Sequence, residues 1–202
     1  MDVPGPEPDD EELAARAAAG DDRAFEALVG RYQARAYGLA YRLVGPEGDP
    51  QDALQEAFLQ VFRKLSGFRG ESRFSTWLYR IVTNAALMQR RSRSRRPTES
   101  LEACLPRFDA DGRHVATPVE IAAASGVEER LDRRALAEKA MAGIDRLPEA
   151  YRSAFVLRDL EELPTAEVGA VLGLEAAAVR QRVHRARLML RGYLGDIAGV
   201  KP

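Results

Sequence analysis

The sequence predicts an all-α protein built as two small helical domains joined by a flexible linker, the second containing a helix-turn-helix. Three observations lead there. Ala, Leu, Glu and Arg dominate a chain that is 46% hydrophobic while β-branched runs are scarce, a balance that favours helix. Apolar residues recur three and four apart in several stretches, the spacing of one buried helical stripe. Between two such regions, from Ser92 to about Ser125, the period vanishes and Pro97, Pro106, Gly112 and Pro118 collect, as in an extended connector.

Residues 1–10 are acidic and Pro-bearing and read as a disordered N-terminus. Glu11 to Ala19 then reads as a short helix, which Gly20-Asp21-Asp22 ends while capping the next. Phe25, Leu28, Val29, Tyr32, Ala36, Leu39 and Leu43 mark the buried side of a long helix, broken by Gly45-Pro46-Glu47-Gly48-Asp49-Pro50. A third helix starts at about Asp49 to Asp52. It is expected to bury Leu54, Phe58, Val61, Phe62 and Leu65 and to show Asp52, Gln55, Glu56 and Gln60 on its polar face. Ser75 or Thr76 is positioned to cap a fourth, which buries Phe74, Leu78, Ile81 and Ala85. On its opposite side gather Thr76, Arg80, Thr83, Asn84, Leu87, Arg90 and Arg91, projected at about 100° per residue. These four helices make one unit over residues 11–96.

After a linker at 97–126, a second unit covers 127–195. Val127 to Ile144 reads as a helix with Leu131, Leu136, Ala140 and Ile144 to pack, and Leu147-Pro148-Glu149 opens the next, proline being at home in a first turn. Ala154, Phe155, Leu157 and Leu160 follow. Thr165 caps a short helix that Gly173 ends, and a long helix begins near Ala176 with Val179, Val183, Ala186 and Leu190 as its core stripe. Helix, short turn, helix is the helix-turn-helix plan. Residues 196–202 form a tail.

The net charge of −1 conceals a separation of charge. Met1 to Gly30 carries nine acidic residues against Arg16 and Arg23, whereas from Arg63 to Arg96 ten cationic residues face Glu71 alone. The last helix and tail add six cations against Asp196. Two cationic blocks are the footprint of a polyanion ligand. Cys104 is the single cysteine, so neither an internal disulfide nor a multi-cysteine zinc site is available, and a reducing cytoplasm is the expected home. The acidic N-terminus and the lack of an apolar run near the length of a membrane span argue against a signal peptide or membrane insertion. Nucleotide-binding, zinc-protease and serine-hydrolase motifs are missing, and the histidines are only two, His114 and His184. No catalytic residue, metal or cofactor is therefore expected.

The stretch F-R-G-E-S-x-F-x-T-W-L-Y-R-I-x-x-N, from Phe68 to Asn84, resembles the promoter-melting segment of extracytoplasmic-function (ECF) sigma factors, small members of the sigma-70 family. The segment from Leu147-Pro148-Glu149 through Val179-Arg180-Gln181-Arg182-Val183-His184-Arg185 resembles that family's minus-thirty-five-binding domain. Three departures are visible: Met88 stands where many members have an acid, Gly169 where alanine is usual, and Ala178 where threonine is usual. Gly169 is expected to weaken its helix by about 0.5–1 kcal/mol relative to alanine.

The resemblance implies a transcription initiation factor that binds bacterial core RNA polymerase and reads promoter DNA, both duplex and melted non-template strand. By position it assigns polymerase binding to Asp52, Gln55, Glu56 and Gln60. Minus-ten reading and melting go to Arg69, Gly70, Ser72, Trp77, Arg80, Asn84, Arg90 and Arg91, with Gly67 to Arg73 as the base-flipping loop. Minus-thirty-five reading goes to Arg180, Gln181, His184 and Arg185. Arg182 and Arg187, flanking the apolar stripe, are expected in salt bridges or on phosphates. An anti-sigma factor is the usual further partner in the family. The alternative is a helix-turn-helix regulator that binds duplex DNA without being a polymerase subunit, which leaves Phe68 to Asn84 without a role. Opening about ten base steps costs on the order of 14 kcal/mol, and aromatic stacking returns only ~1–3 kcal/mol per base. A melting surface on a chain this small therefore needs a larger partner.

Overall fold

Asp9, Asp21 and Asp49 start the first three helices in the same way, each through a side chain that accepts from backbone N–H groups of the first turn. The computed structural model of the chain describes residues 8–93 and 138–197. In order these form α1 (Asp10–Ala18), α2 (Asp22–Val44), α3 (Pro50–Lys64), a single 3-10 turn (Leu65–Gly67) and α4 (Phe74–Arg93). Beyond lie α5 (138–146), α6 (Glu149–Phe155), which continues as a π-helical turn (Val156–Leu160), α7 (Thr165–Leu172) and α8 (Ala176–Ile197). No strand occurs among the described residues. The linker, Cys104, His114, the start of the helix expected from Val127, Arg95, Arg96 and residues 198–202 lie outside them, while residues 196–197, expected as tail, belong to α8.

In the N-terminal unit α2 and α4 pack against each other and both pack on α3. The α2 stripe is confirmed where it counts, with Leu28, Ala36, Leu39 and Leu43 fully buried. Asp10 ties α1 down by accepting from Arg31 Nη1 at 2.9 Å and from the Tyr32 hydroxyl. Burial, reinforced by the Asp10 carboxylate, pushes the Tyr32 phenol well above its ordinary range. On α3 the buried line is Ala53, Ala57 and Val61, continued by Leu65, and Phe62 is 61% exposed. The expectation that Phe62 belongs to the core is corrected: small alanines let α2 and α4 approach, which rotates the larger apolar residues outward. Phe62 rests edge-on against Phe25 at 5.3 Å.

In the C-terminal unit α6 packs on α8, and α8 buries Val179, Val183, Ala186, Met189 and Leu190. Arg152 organises the turn between α5 and α6. Its guanidinium, 1% exposed, donates to the carbonyls of Ile144, Asp145 and Leu147, which a helix end leaves without intrahelical partners. Burial, and then Arg90, bring its pKa down to about 10, so it keeps its charge at neutral pH.

None of the hydroxyls expected to cap does so. Thr165 is the first residue of α7 behind Pro164, with no side-chain cap, and Ser75 and Thr76 fall inside α4. Gly173 closes α7 in the left-handed conformation at φ 66°, where glycine carries no steric cost. Gly169 has a different role from the helix-weakening one expected of it. A Cβ there would stand 2.6 Å from the Leu174 carbonyl oxygen, so the missing side chain lets the turn after α7 fold over the helix. Gly169→Ala is accordingly expected to lower the unfolding free energy by ~1–3 kcal/mol, the cost of overpacking. Chemical denaturation would check it, and an unchanged or raised midpoint would show that the turn yields freely.

Candidate nucleic-acid interface

The loop before α4 is held by aromatic rings at both ends. Phe68, Phe74 and Trp77 lie 5.1–6.0 Å apart by ring centroid, and Tyr32 meets Phe74 edge-on at 5.5 Å. The intervening Arg69, Gly70, Glu71 and Arg73 are exposed and Ser72 half-buried, with Gly70 at φ 70° making the turn. Trp77, expected on DNA, is half-buried in this cluster, where it braces the loop and shows only part of its ring.

Along α4 the cationic face expected from the helical projection is reduced to a narrow strip. Thr76, Thr83 and Leu87, all expected on the polar side, are buried at 4%, 2% and 9% exposure. The reason is tertiary: α7 packs against α4, and its Glu167 accepts from the Thr76 hydroxyl. From Phe74 to Leu87 only Arg80 and Asn84 stay exposed. They lie four residues apart, hence on one face, and neither has a hydrogen bond or ion pair among the described residues.

Arg90 and Arg91 are exposed or half-exposed but engaged. Arg90 Nη1 donates to Asp145 Oδ1 at 2.8 Å and to the Val44 carbonyl at 3.3 Å. Arg91 Nε donates to both carboxylate oxygens of Glu149, at 2.9 and 3.1 Å, and this bonding raises the Arg91 pKa. Near the other end of α4, Glu167 accepts from the Thr76 hydroxyl at 2.9 Å and pairs with Arg73 at 3.4 Å. Arg42 of α2 pairs with Glu161 at 2.6 Å. Burial raises the Glu161 pKa, opposed by Arg42 and Arg35. Acids of the C-terminal unit thus occupy cations of the N-terminal unit. Sequence reasoning counted these charges by block but missed Asp145, Glu149, Glu161 and Glu167 as partners, because pairing across the linker leaves no local signal.

Neutralising the contact is expected to release α4. The triple variant Asp145→Asn, Glu149→Gln, Glu167→Gln removes ion pairs of about 0.5 kcal/mol each. It should bind a mixed-sequence duplex roughly tenfold more tightly at low salt and give a larger radius of gyration by X-ray scattering. If neither changes, apolar burial alone holds the units together.

On α8, Arg180, Gln181 and His184 are exposed near the start of the helix, as expected of a reading edge. Arg185 is half-buried, with Nη1 3.4 Å from the Tyr151 hydroxyl. Arg187 forms a two-armed pair with Asp159 at 2.7 and 2.8 Å, the first of the two partners, carboxylate or phosphate, expected of it. On α3, Asp52, Gln55 and Glu56 are exposed and Gln60 half-buried. Gln60 donates to Glu56 at 3.0 Å, so this polar face is ordered by its own side chains. No metal-binding cluster occurs among the described residues, and none of their helices is long and apolar enough to cross a membrane.

Residues 28–96 match the family model described as Sigma-70 region 2, and residues 137–190 match Sigma-70, region 4. The chain is 36% identical over 178 residues to the RNA polymerase sigma-H factor of Pseudomonas aeruginosa, covering 88% of this chain and 90% of that protein. It is 37% identical over 184 residues to the ECF RNA polymerase sigma-E factor of Escherichia coli K12, with the same shares covered. Among solved structures it is similar to CnrH in complex with the cytosolic domain of CnrY, at TM-score 0.65 and 28% identity, covering 93% and 97% of the two chains. The fold is shared by the sigma factor RpoE in complex with the anti-sigma factor NepR from Bartonella quintana, at TM-score 0.60 and 20% identity, covering 84% and 96%.

Proposed function

From a chain that belongs to the sigma-70 family, as an ECF RNA polymerase sigma factor, we infer how its surfaces divide the work of promoter-directed transcription initiation. The polar face of α3, with Asp52, Gln55, Glu56 and Gln60, docks on the polymerase core. The loop with Arg69, Gly70 and Ser72, backed by Trp77, receives an unstacked base, and Arg80 and Asn84 on α4 contact the minus-ten DNA. Arg90 and Arg91 add contacts there once freed from Asp145 and Glu149. Arg180, Gln181 and His184 at the start of α8 read the minus-thirty-five duplex, with Arg185 beside them.

The carrying observation is the pair Arg80 and Asn84. They are polar, exposed and without partners among the described residues, in a stretch of helix from Phe74 to Leu87 where every other side chain is buried or half-buried, and they stand next to a braced, exposed loop. A regulator that bound only duplex DNA would leave this arrangement idle, and residues 28–96 match the sigma segment that such a regulator lacks. Residues 11–96 and 127–195 are taken as the working domains, with 97–126 as their connector. The protein acts in the cytoplasm as a binding factor and not as an enzyme. An anti-sigma factor is taken as a further partner, and CnrH, a similar chain, is solved with the cytosolic domain of another protein, CnrY, bound to it.

The test is reconstitution with bacterial core polymerase, followed by selection of promoters from a randomised duplex library and run-off transcription. Sequence-dependent transcription that requires the added chain is expected. A chain that fails to join core polymerase, yet binds duplex sites alone, would replace this reading with the duplex-binding regulator.

A further inference from the structure

The exposed strip of α4 does not stop at Asn84. Met88, one helical turn on, is 73% exposed, the most exposed large apolar side chain among the described residues. Arg80, Asn84 and Met88 are spaced four apart, so their side chains follow one another at about 6 Å along the helix. Thr83, Leu87 and Ala85 beside them are buried, and the next exposed position is Arg91. The strip therefore presents a cation, an amide and an apolar tip in that order.

Its surroundings select the occupant. Helix α4, Phe74–Arg93, contains no acidic residue and ends in Arg90, Arg91 and Arg93, a setting complementary to a polyanion. The apolar spot is one side chain bordered by Asn84, Arg91 and Ser92, too small and too polar at its margin to receive a helix face. Base edges offer one apolar group of matching size, the C5-methyl of thymine, while an asparagine amide in the same row suits adenine.

We propose that Met88 is a specificity-determining residue that reads a thymine methyl in the promoter, one turn of α4 beyond the base contacted by Asn84. The inference rests on the reading of α4 as the minus-ten helix and adds a position and a base to it. Arg80 supplies charge that holds the strand near the strip, Asn84 supplies hydrogen bonding, and Met88 discriminates by apolar contact alone. A cytosine at the same position presents an amine and no methyl, so the thioether would desolvate the amine without repaying it.

The test uses wild-type and variant holoenzymes on the promoter recovered by wild type from a randomised duplex library. Each thymine of either strand is replaced in turn by deoxyuridine, which removes the methyl and nothing else. Wild type should lose about fourfold in promoter affinity at one thymine within a few bases of the position sensitive to Asn84→Ala, the worth of one buried methyl group. Met88→Ala should bind about equally with thymine or deoxyuridine there while retaining its other base preferences, and Met88→Leu should keep most of the discrimination. The proposal is overturned if wild type is indifferent to deoxyuridine throughout, or if Met88→Ala keeps the wild-type response. It is also overturned if Met88→Ala weakens core binding or all promoters alike. Failure of the wild-type holoenzyme to select any promoter would instead remove the reading of α4 on which the proposal stands.

Discussion

Promoter opening by the reconstituted holoenzyme is expected to fall by about 10–100-fold when Asn84 is replaced by alanine, with core binding and closed complexes intact. The magnitude is that of a side-chain amide paired with a base edge, ~1–3 kcal/mol. The fold should not suffer, because Asn84 is exposed and has no partner among the described residues. Deleting Gly70 and Glu71 should produce the same defect by another route. Phe68 and Phe74 clamp the loop ends against Trp77, and Gly70 at φ 70° makes the turn between them. A shorter loop must flatten or pull the clamp apart. Permanganate reactivity of thymines across the minus-ten segment reports the opening. Templates with that segment already mismatched should recover most transcription for both variants, since the unpairing cost is then already met. Variants that open fully paired promoters as well as wild type would reduce the loop and Asn84 to a connector and a solvated side chain.

Reversing two charges on α3 is expected to have a comparable effect on a different step. Asp52→Lys with Glu56→Lys should weaken core polymerase binding by roughly a hundredfold, because like charges placed across a charged interface cost several kcal/mol. Both residues are exposed, so the folded chain should change in stability by under about 0.5 kcal/mol for each. Glu56 accepts from Gln60, and losing that exposed bond is a minor part of the change. Affinity for core by fluorescence anisotropy, together with the thermal midpoint of the free protein, separates the two effects. Unchanged affinity at moderate salt would move the dock to another face. A large fall in the midpoint would mean that folding, not docking, had been measured.

Much of this was legible because its causes are local. Aspartates at 21 and 49 cap helices through backbone groups within three residues of themselves; Asp9 caps α1 and Asp10 begins it, which corrects the reading of 1–10 as a disordered N-terminus. The α2 and α8 stripes follow from helical geometry, and Gly173 ends α7 because its own φ demands it. Arg187, beside the core stripe, is expected in a salt bridge or on a phosphate, and it takes the first, with Asp159. Phe62 and Trp77 were not legible in this way. Periodicity marks an apolar side but does not say which member of it turns outward, and Phe62 emerges because Ala53 and Ala57 make the close contact. Trp77 divides itself between bracing a loop and facing solvent, which depends on rings brought together from Tyr32 to Trp77.

By itself the sequence determined the helices and their breaks, the aspartate caps of α2 and α3, the two charged blocks and the motif that points to promoter DNA, since each depends on neighbours within a turn or two. The tertiary structure decided which promoter-facing groups are available. It buried Thr76, Thr83 and Leu87, with Thr76 bonded to Glu167 of α7, engaged Arg90 and Arg91 with Asp145 and Glu149, and left Arg80, Asn84 and Met88 in the open. A helical projection shows every side chain that one core does not claim; here a second unit, far along the chain, packs against the face the first left over. Burial of a polar face by complementary partners is a property of the pair of surfaces, and so it appears only when both are folded.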